Sequence, residues 1–272
     1  MRELQNSFET KRRRLLYLLF IRNSCLSANS RKQELLLVLT YLQQLDAQEK
    51  ATTNEADSHN IKIKDMAMKL DRKKHWETVY ETKSPLQVSW TQEIPITSLQ
   101  FIHSFGLKKS AKIIDIGGGD SKLVDYLLDV GFENITVLDI SSKSLEKTKQ
   151  RLGEKANKVN WIVSDITEFE PKMTYDVWHD RATFHFLTRA EQITKYIDTA
   201  KKSVNGFLTI GTFSKVGPEK CSGLEIKQYD EKELTFELNN GFEKIKCVTE
   251  DHLTPFDTTQ NFLFCSFKRQ LN

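Results

Sequence analysis

The sequence predicts an α/β domain with a mostly parallel sheet and helices on both faces. Three observations predict it. From about residue 71 onward, short apolar segments alternate with amphipathic segments of helical length. A glycine-rich turn, Gly117–Gly119, joins the first apolar segment to a helix, and a carboxylate ends each of three successive strands. Strands that alternate with helices in this way form parallel crossovers with helices packed on both sides of the sheet.

Each element of this domain follows from a local pattern. Ser141 or Ser142 is a suitable N-cap for the helix that follows the second strand, and Gly153 is a suitable stop for it. Gly131 closes the helix before it in the same way. The strands are predicted at 111–117, 134–140, 159–166, 174–180 and 206–213, and the helices at 71–83, 95–105, 120–131, 141–153 and 189–204.

The end of the chain follows a different pattern. After a loop at 214–229 and a helix near 230–239 come the strands 242–251 and 261–269. Too few residues separate these two strands for a crossover helix, so they must pair as an antiparallel hairpin at the edge of the sheet. The sequence therefore predicts five parallel strands followed by an antiparallel pair.

The first 70 residues have another composition. All 11 glycines lie at or after Gly106, and the first proline is Pro85. Residues 1–70 are rich in helix formers and hold 12 Lys and Arg against 8 Asp and Glu. This composition predicts helices near 9–22 and 31–49 and a polar linker at 47–60. We therefore expect a helical, basic N-terminal extension with its linker at 1–65 and the main domain at 66–272.

Composition also narrows the expected cellular location and the expected binding partners. The apolar run after "KRRR" is short for an export signal, and Glu3 and Glu9 count against a mitochondrial presequence. No apolar run approaches the roughly 18 residues of a membrane span. We expect a cytoplasmic protein, with a mitochondrial location as the minor alternative. The main domain is nearly neutral, which makes a nucleic-acid partner unlikely.

The four cysteines form no CxxC pair and no cluster with histidines at metal-ligand spacing. They are Cys25, Cys221, Cys247 and Cys265. We therefore expect no metal site, no disulfide framework and a reducing compartment.

The glycine-rich turn is compatible with two cofactors, NAD and S-adenosylmethionine. Gly117 and Gly119 supply the first two glycines of the dinucleotide fingerprint, but Lys122 stands where the third is needed to bring the helix close to the strand. Asp139, which ends the second strand, suits the ribose hydroxyls of either cofactor. Asp115 lies two residues before the glycines, where it would repel a pyrophosphate and attract a cationic sulfonium or ammonium group. These positions favour S-adenosylmethionine.

Asp165 ends the third predicted strand, as Asp139 ends the second. Acids at the carboxyl ends of successive parallel strands meet at one edge of the sheet, which is where open α/β sheets bind their ligands. Each acid alone is also compatible with a helix-capping role. Three caps in succession are a weaker explanation than one ligand site.

The segments "KIIDIGGGDSKLVDYLLDVGFENITVLDIS", "WIVSDITEF" and "YDVWHDRATFHFLT" resemble the successive motifs of the class I S-adenosylmethionine-dependent methyltransferases. The resemblance covers about residues 71–270. It implies a seven-stranded, mostly parallel Rossmann-like methyltransferase sheet with an antiparallel last strand. It also implies residue roles: Gly117 and Gly119 at the methionine part, Asp139 at the ribose hydroxyls, and Asp165 with Ile166 at the adenine. Ile140 is a further expected cofactor-binding residue. Asp120 replaces the usual third glycine of the family's turn.

Two further segments narrow the resemblance. "HWETVY", before the first strand, and "DRATFHFL", after the fourth, resemble small bacterial-type methyltransferases and the related protein-lysine methyltransferase branch. The methyl acceptor implied is a protein lysine or a small molecule. The aromatic helix that carries Trp76 and Tyr80 is expected either to cover the cofactor or simply to pack against the domain.

The segment after the fourth strand is the expected place for groups that act on the acceptor. Methyl transfer from a sulfonium needs alignment and exclusion of water, and an amine nucleophile must also lose a proton. Asp180, Arg181 and His185 are the predicted catalytic residues, with His179 as a further ionisable candidate. The alternatives are a structural Asp180–Arg181 ion pair and structural histidines.

Two other functions compete with methyl transfer. One is an NAD(P)-dependent oxidoreductase, and the other is a non-catalytic subunit that binds S-adenosylmethionine beside a partner. The sequence predicts neither the acceptor atom nor the oligomeric state.

Overall fold

The computed structural model describes residues 9–11, 13, 40, 42–44, 46–47, 50–51, 66 and 71–270, which are called the described residues below. The chain divides into two units, Met1–Leu70 and Asp71–Asn272. The division into an extension at 1–65 and a domain at 66–272 stays a prediction.

In the first unit, every described residue is helical. Arg13 and Glu9 form an exposed i,i+4 ion pair at 3.6 Å. Residues 47, 50 and 51 are helical, so the polar linker predicted from residue 47 is wrong at its start. The rest of the two predicted helices and of the linker lies outside the described residues.

The second unit is built on a seven-stranded sheet in the order β3-β2-β1-β4-β5-β7-β6. Strands β1 to β5 are parallel, and β7 runs antiparallel to both β5 and β6. This confirms the predicted sheet with its antiparallel end. The strands are β1 (Lys112–Ile116), β2 (Asn134–Asp139), β3 (Val159–Val163), β4 (Tyr175–Arg181), β5 (Val204–Phe213), β6 (Phe242–Leu253) and β7 (Thr259–Arg269).

The helices lie where the apolar periodicity predicts them. Ser141 caps α4 by accepting a hydrogen bond from the Ser144 amide, and Gly153 ends that helix with φ 56°. The loop after β5 also carries a short hairpin, Lys220–Cys221 with Leu224–Glu225. The helices are α1 (71–82), α2 (Ile96–Ser104), α3 (Leu123–Asp129), α4 (Ser142–Leu152), α5 (Ala190–Ser203) and α6 (Glu231–Leu238), with short 3₁₀ turns at Pro85–Gln87, Gly153–Lys158 and Phe184–Phe186.

Alternating strand residues belong to separate cores, so both faces of the sheet are covered. Ile114 and Trp178 pack in a core that includes apolar residues of α5 and α6. Their neighbours Ile113 and Val177 pack in a second core with residues of α2, α3 and α4. Because successive side chains of a strand point to opposite faces, this split confirms helices on both sides of the sheet.

The prediction that the chain has no disulfide is wrong. Cys247 and Cys265 are bonded across the antiparallel strands β6 and β7, where they lie directly opposite each other with Cα atoms 4.1 Å apart. Spacing along the chain does not reveal this pairing, because strand register sets it. Cys221 is free and buried.

None of the helices in the described residues combines the length and apolar character that a bilayer-spanning helix needs. The cytoplasmic location stays a prediction.

Candidate functional site

A cavity of about 820 Å³ opens at the carboxyl ends of β1 to β4. Its volume falls within the roughly 300–1,000 Å³ typical of small-molecule sites. Helix α1 and the segment 84–95 form part of its wall. The predicted cofactor residues on the wall are Asp115, Gly117, Asp139, Ile140, Asp165 and Ile166, and Gly119 lies within the same turn as Gly117.

The turn after β1 requires glycines because it leaves no space for side chains. A Cβ atom on Gly117 would lie 1.8 Å from Thr183 Oγ1, and Gly117 has φ +66°. A Cβ atom on Gly118 or Gly119 would lie 2.5 Å from the carboxylate of Asp115 or Asp139, respectively. The backbone therefore passes very close to two of the predicted cofactor carboxylates. The sequence prediction omitted Gly118, although its backbone lies on the cavity wall.

Replacing Gly117 with alanine is expected to lower the free energy of unfolding by roughly 2–3 kcal/mol, because a positive φ and a steric clash act together. Gly106→Ala is the matched control: Gly106 has φ +62°, but a Cβ there would meet nothing within 4 Å. Thermal unfolding of both variants separates the two effects. Equal losses would show that the contact with Thr183 is not a constraint.

Asp115 is held by a buried chain of hydrogen bonds. Its Oδ1 lies 2.7 Å from His179 Nδ1, and His179 Nε2 lies 2.8 Å from Ser98 Oγ. Asp115 Oδ2 is buried and has no hydrogen-bond partner among the described residues. This oxygen lies beside Gly118. A buried carboxylate oxygen without a partner is costly unless a ligand satisfies it, so this atom marks a position for a hydrogen-bond donor or a cation.

Asp139 is buried beneath the turn. Its Oδ1 accepts a hydrogen bond from the Ser141 amide at 2.8 Å. Burial raises the pKa of Asp139 to about 7, and the nearby charges of Asp115 and Glu77 act in the same direction, while hydrogen bonds from Ser141 and Ser144 oppose them. A cationic or hydrogen-bond-donating ligand would favour its ionised form.

The raised pKa of Asp139 predicts a pH-dependent stability. Its folded pKa of about 7 lies above the ordinary 3.8, so its contribution to stability is complete below about pH 3.8 and is lost as the pH rises through about 7. Between pH 5 and pH 8, the melting temperature of the wild type should therefore fall more than that of Asp139→Asn, by a few degrees. Parallel melting curves would contradict the assignment. Other groups, such as Asp180, are common to both proteins and cancel in the comparison.

Asp165 has partners for both of its oxygens. Oδ1 accepts from the amide and the hydroxyl of Thr167 at 2.9 and 2.8 Å, and Oδ2 accepts from Arg72 Nη2 at 2.8 Å. A carboxylate offers about four acceptor positions, so a ligand donor can still be accommodated. Arg72 on α1 therefore connects that helix to the end of β3.

Asp180 faces away from the cavity. Its neighbours His179 and Arg181 line the wall, but alternation along β4 turns the Asp180 side chain towards α5. It is fully buried, and Oδ2 accepts from Tyr196 Oη at 2.7 Å. Oδ1 accepts from the Thr183 and Phe184 amides at 2.9 and 3.2 Å. The structure does not bring Asp180 to the cavity, so its predicted catalytic role lacks the necessary geometry.

His185 also lies off the cavity wall. It is fully buried, and its ring stacks on Phe213 with centroids 4.7 Å apart. Burial lowers the pKa of His185 to about 3, with the Arg181 charge acting in the same direction. A neutral imidazole packed between aromatic rings is a structural element, which differs from the predicted catalytic role.

Arg181 does line the cavity. Nη1 donates to the Trp90 carbonyl at 2.9 Å, and the guanidinium lies over the Phe262 ring, 4.8 Å from its centroid. The alternative, a structural Asp180–Arg181 ion pair, is not found among the described residues, because adjacent residues of a strand point to opposite faces. Arg181 is thus the one predicted catalytic residue that the structure brings to the cavity.

An aromatic cluster completes the wall. Trp76 packs edge-on against Trp90 and Phe186, with ring centroids 5.6 and 5.2 Å apart. Glu77 accepts hydrogen bonds at the start of α4, including one from the Ser142 amide at 2.8 Å.

Two residues of the wall, Arg72 and Trp90, were not predicted from the sequence. Arg72 precedes Trp76 by one helical turn, and this i,i+4 spacing was the available signal.

Comparison with known proteins finds similarity to methyltransferases over the central part of the chain. A methyltransferase-domain family model matches residues 114–208. The eEF1A lysine and N-terminal methyltransferase of Mus musculus is 27% identical over 140 residues, which are 50% of this chain and 20% of that protein. The malonyl-[acyl-carrier protein] O-methyltransferase of Anoxybacillus flavithermus is 33% identical over 125 residues, 44% of this chain and 47% of that one. The match thus spans less than half of either relative.

Solved structures agree in fold. The N-methyltransferase NodS of Bradyrhizobium japonicum WM9, in complex with S-adenosyl-L-homocysteine, has a TM-score of 0.54 at 17% identity, covering 66% of this chain and 90% of that one. The sheet order, the glycine turn beside two buried carboxylates and these similarities lead to one assignment. The chain carries a methyltransferase domain on a Rossmann-like sheet of the class I type.

Proposed function

We propose that this protein transfers a methyl group from S-adenosylmethionine to a nitrogen, sulfur or oxygen atom of an acceptor bound in the same cavity. One observation carries the proposal. Asp115, Asp139 and Asp165 line one cavity beside a turn whose glycines leave no space for side chains. Three carboxylates suit a cationic, hydroxyl-rich ligand and oppose a pyrophosphate.

The residues present fit the cofactor. The unpartnered Asp115 Oδ2 suits a cationic group of the methionine part. Asp139 suits the ribose hydroxyls, and Asp165, on the same cavity wall as Ile140 and Ile166, suits the adenine. S-adenosylmethionine supplies a methyl group on a sulfonium, which a nucleophile can take without a metal. The described residues hold no group of three His, Cys, Asp or Glu side chains arranged for a metal ion.

The chain's own contribution to catalysis is alignment and exclusion of water. The wall formed by Trp76, Trp90 and Phe186 keeps solvent from the reacting atoms, which strengthens every charge interaction inside the cavity. His179 positions Asp115 and is itself positioned by Ser98. Asp180 stabilises the 183–184 turn by accepting hydrogen bonds from its amides and has no role at the acceptor. Deprotonation of the acceptor then depends on its own acidity or on a group that it carries.

The names of the relatives bear on the identity of the methyl acceptor. The mouse relative is named for protein methylation and the Anoxybacillus relative for O-methylation of a malonyl group on a carrier protein. These names leave both protein and small-molecule acceptors open. An oxidoreductase function is not proposed, because the similarity to methyltransferases and the carboxylate set both favour S-adenosylmethionine.

Methyl transfer is tested with tritium-labelled S-adenosylmethionine. The protein is incubated with the cofactor and a cell extract, and the label is measured separately in the protein and small-molecule fractions. We expect label in one fraction and its loss with the Asp139→Ala variant. If S-adenosylhomocysteine binds but neither fraction is labelled, the alternative of a non-catalytic cofactor-binding subunit is favoured instead.

A further inference from the structure

Arg181 lines the cavity, and one edge of its guanidinium has no hydrogen-bond partner among the described residues. Of its three guanidinium nitrogens, only Nη1 has a partner, the Trp90 carbonyl at 2.9 Å. Nε and Nη2 are buried, with no hydrogen-bond partner among the described residues. These two nitrogens form one side of the planar guanidinium, and two parallel N–H donors on one side match the two oxygens of a carboxylate.

The surroundings hold this edge in place. The guanidinium lies over the Phe262 ring, and Trp90, Phe186 and Cys221 line the same cavity. Arginine stays protonated in proteins. Its buried N–H donors therefore destabilise the fold until an acceptor binds to them. A rigid, desolvated cation with two aligned donors is a prepared anion site.

Glu250, the acid with the largest electrostatic effect on Arg181, does not occupy this edge. The Glu250 carboxylate attracts the Arg181 charge more than any other acid does. Its Oε1, however, accepts from Gln92 Nε2 at 2.9 Å, and its Oε2 is itself buried and unpartnered in the described part of the chain. Glu250 and Arg181 form neither a hydrogen bond nor an ion pair within 4.0 Å, although Glu250 favours the charged form of Arg181.

Arg181 lies on a different strand from the three acids proposed for the cofactor. The three acids proposed for the cofactor lie at the ends of β1, β2 and β3, whereas Arg181 ends β4. A lysine acceptor would bring a second cation beside Arg181, which is unfavourable in a desolvated cavity. An anionic acceptor would instead satisfy the free edge.

We propose that Arg181 binds a carboxylate of the methyl acceptor through Nε and Nη2, so that the acceptor is a small carboxylic acid. This inference rests on the proposed methyl transfer and assigns the acceptor class of that site. Arg181 is a specificity-determining residue in this scheme. It orients the acceptor but takes no part in proton transfer.

The test uses the full chain loaded with S-adenosylhomocysteine, whose binding is measured first by calorimetry. The probes are amino-, hydroxy- and mercapto-benzoic acids and straight-chain acids of two to eight carbons, each paired with its primary amide. We expect at least one acid to bind about tenfold or more tightly than its amide, the effect typical of a charge-assisted hydrogen-bond pair. This comparison within the wild type does not depend on whether any variant folds.

Variants of Arg181 then test whether this residue causes the preference for acid over amide. Arg181→Gln should abolish the preference for acid over amide while S-adenosylhomocysteine still binds, and Arg181→Lys should restore it only in part. The matched control is Arg269→Gln, because Arg269 also lies over a phenylalanine ring but belongs to the far end of β7 and donates to backbone carbonyls. It should keep the full preference.

Two outcomes would overturn the inference while leaving the proposed function intact: no acid binds more tightly than its amide, or the preference survives in Arg181→Gln. Failure of the wild type to bind S-adenosylhomocysteine would instead contradict the proposed function itself, and this inference with it.

Discussion

Replacing Asp139 with alanine is expected to weaken S-adenosylmethionine binding by about 10- to 100-fold. The reason is the loss of the buried carboxylate that we propose as the acceptor for both ribose hydroxyls, a loss of about 1.5–3 kcal/mol. Asp139→Asn should lose less, because its amide oxygen still accepts. Isothermal titration calorimetry with S-adenosylhomocysteine measures both variants under the same conditions.

A structural role for Asp139 would give another result. Its Oδ1 also accepts from the Ser141 amide, so the alanine variant will lose some stability in either case. The matched control is Asp129→Ala, which removes an exposed acid paired with Lys155. If Asp139→Ala melts lower but binds the cofactor as tightly as the control does, Asp139 is a cap and not a cofactor ligand.

The second large effect is expected at Asp180. Asp180→Ala should lower the free energy of unfolding by about 3–5 kcal/mol, because it leaves the Thr183 and Phe184 amides and the Tyr196 hydroxyl buried without an acceptor. For a domain of this size, that loss lowers the melting temperature by roughly 10 °C. Thermal unfolding followed by circular dichroism measures it.

The catalytic interpretation of Asp180 predicts the opposite pattern. Loss of a general base typically lowers kcat by 10²–10⁴-fold with little change in stability. Asp180→Asn, which retains an oxygen acceptor for the two amides, should recover much of the stability. Asp198→Ala, an exposed acid on the same α5 that Asp180 faces, serves as the control. An unchanged melting temperature with a large fall in kcat would restore the catalytic role.

The fold could be predicted from the sequence because each element has a local signature. The Ser141 cap, the Gly153 stop and the short connection between β6 and β7 each follow from neighbouring residues. The carboxylates at the ends of β1, β2 and β3 could be predicted to converge, because parallel strands share one carboxyl edge.

The candidate acceptor residues could not be predicted as well. Asp180 and Arg181 are adjacent in sequence, but only the twist and register of β4 decide which of them faces the cavity. The hydrogen bond between His179 and Asp115 depends on the pairing of β1 with β4, where the two residues are neighbours. The Cys247–Cys265 bond depends on register in the same way. Such contacts join residues far apart in sequence, so no local pattern encodes them.

The assignment of the cavity to S-adenosylmethionine is tested most directly by titrating the wild-type protein with S-adenosylhomocysteine and, separately, with NADH. A cavity lined by Asp115, Asp139 and Asp165 should bind S-adenosylhomocysteine with 1:1 stoichiometry and show no saturable binding of NADH, whose pyrophosphate these carboxylates would repel. Saturable binding of NADH without binding of S-adenosylhomocysteine would contradict the assignment.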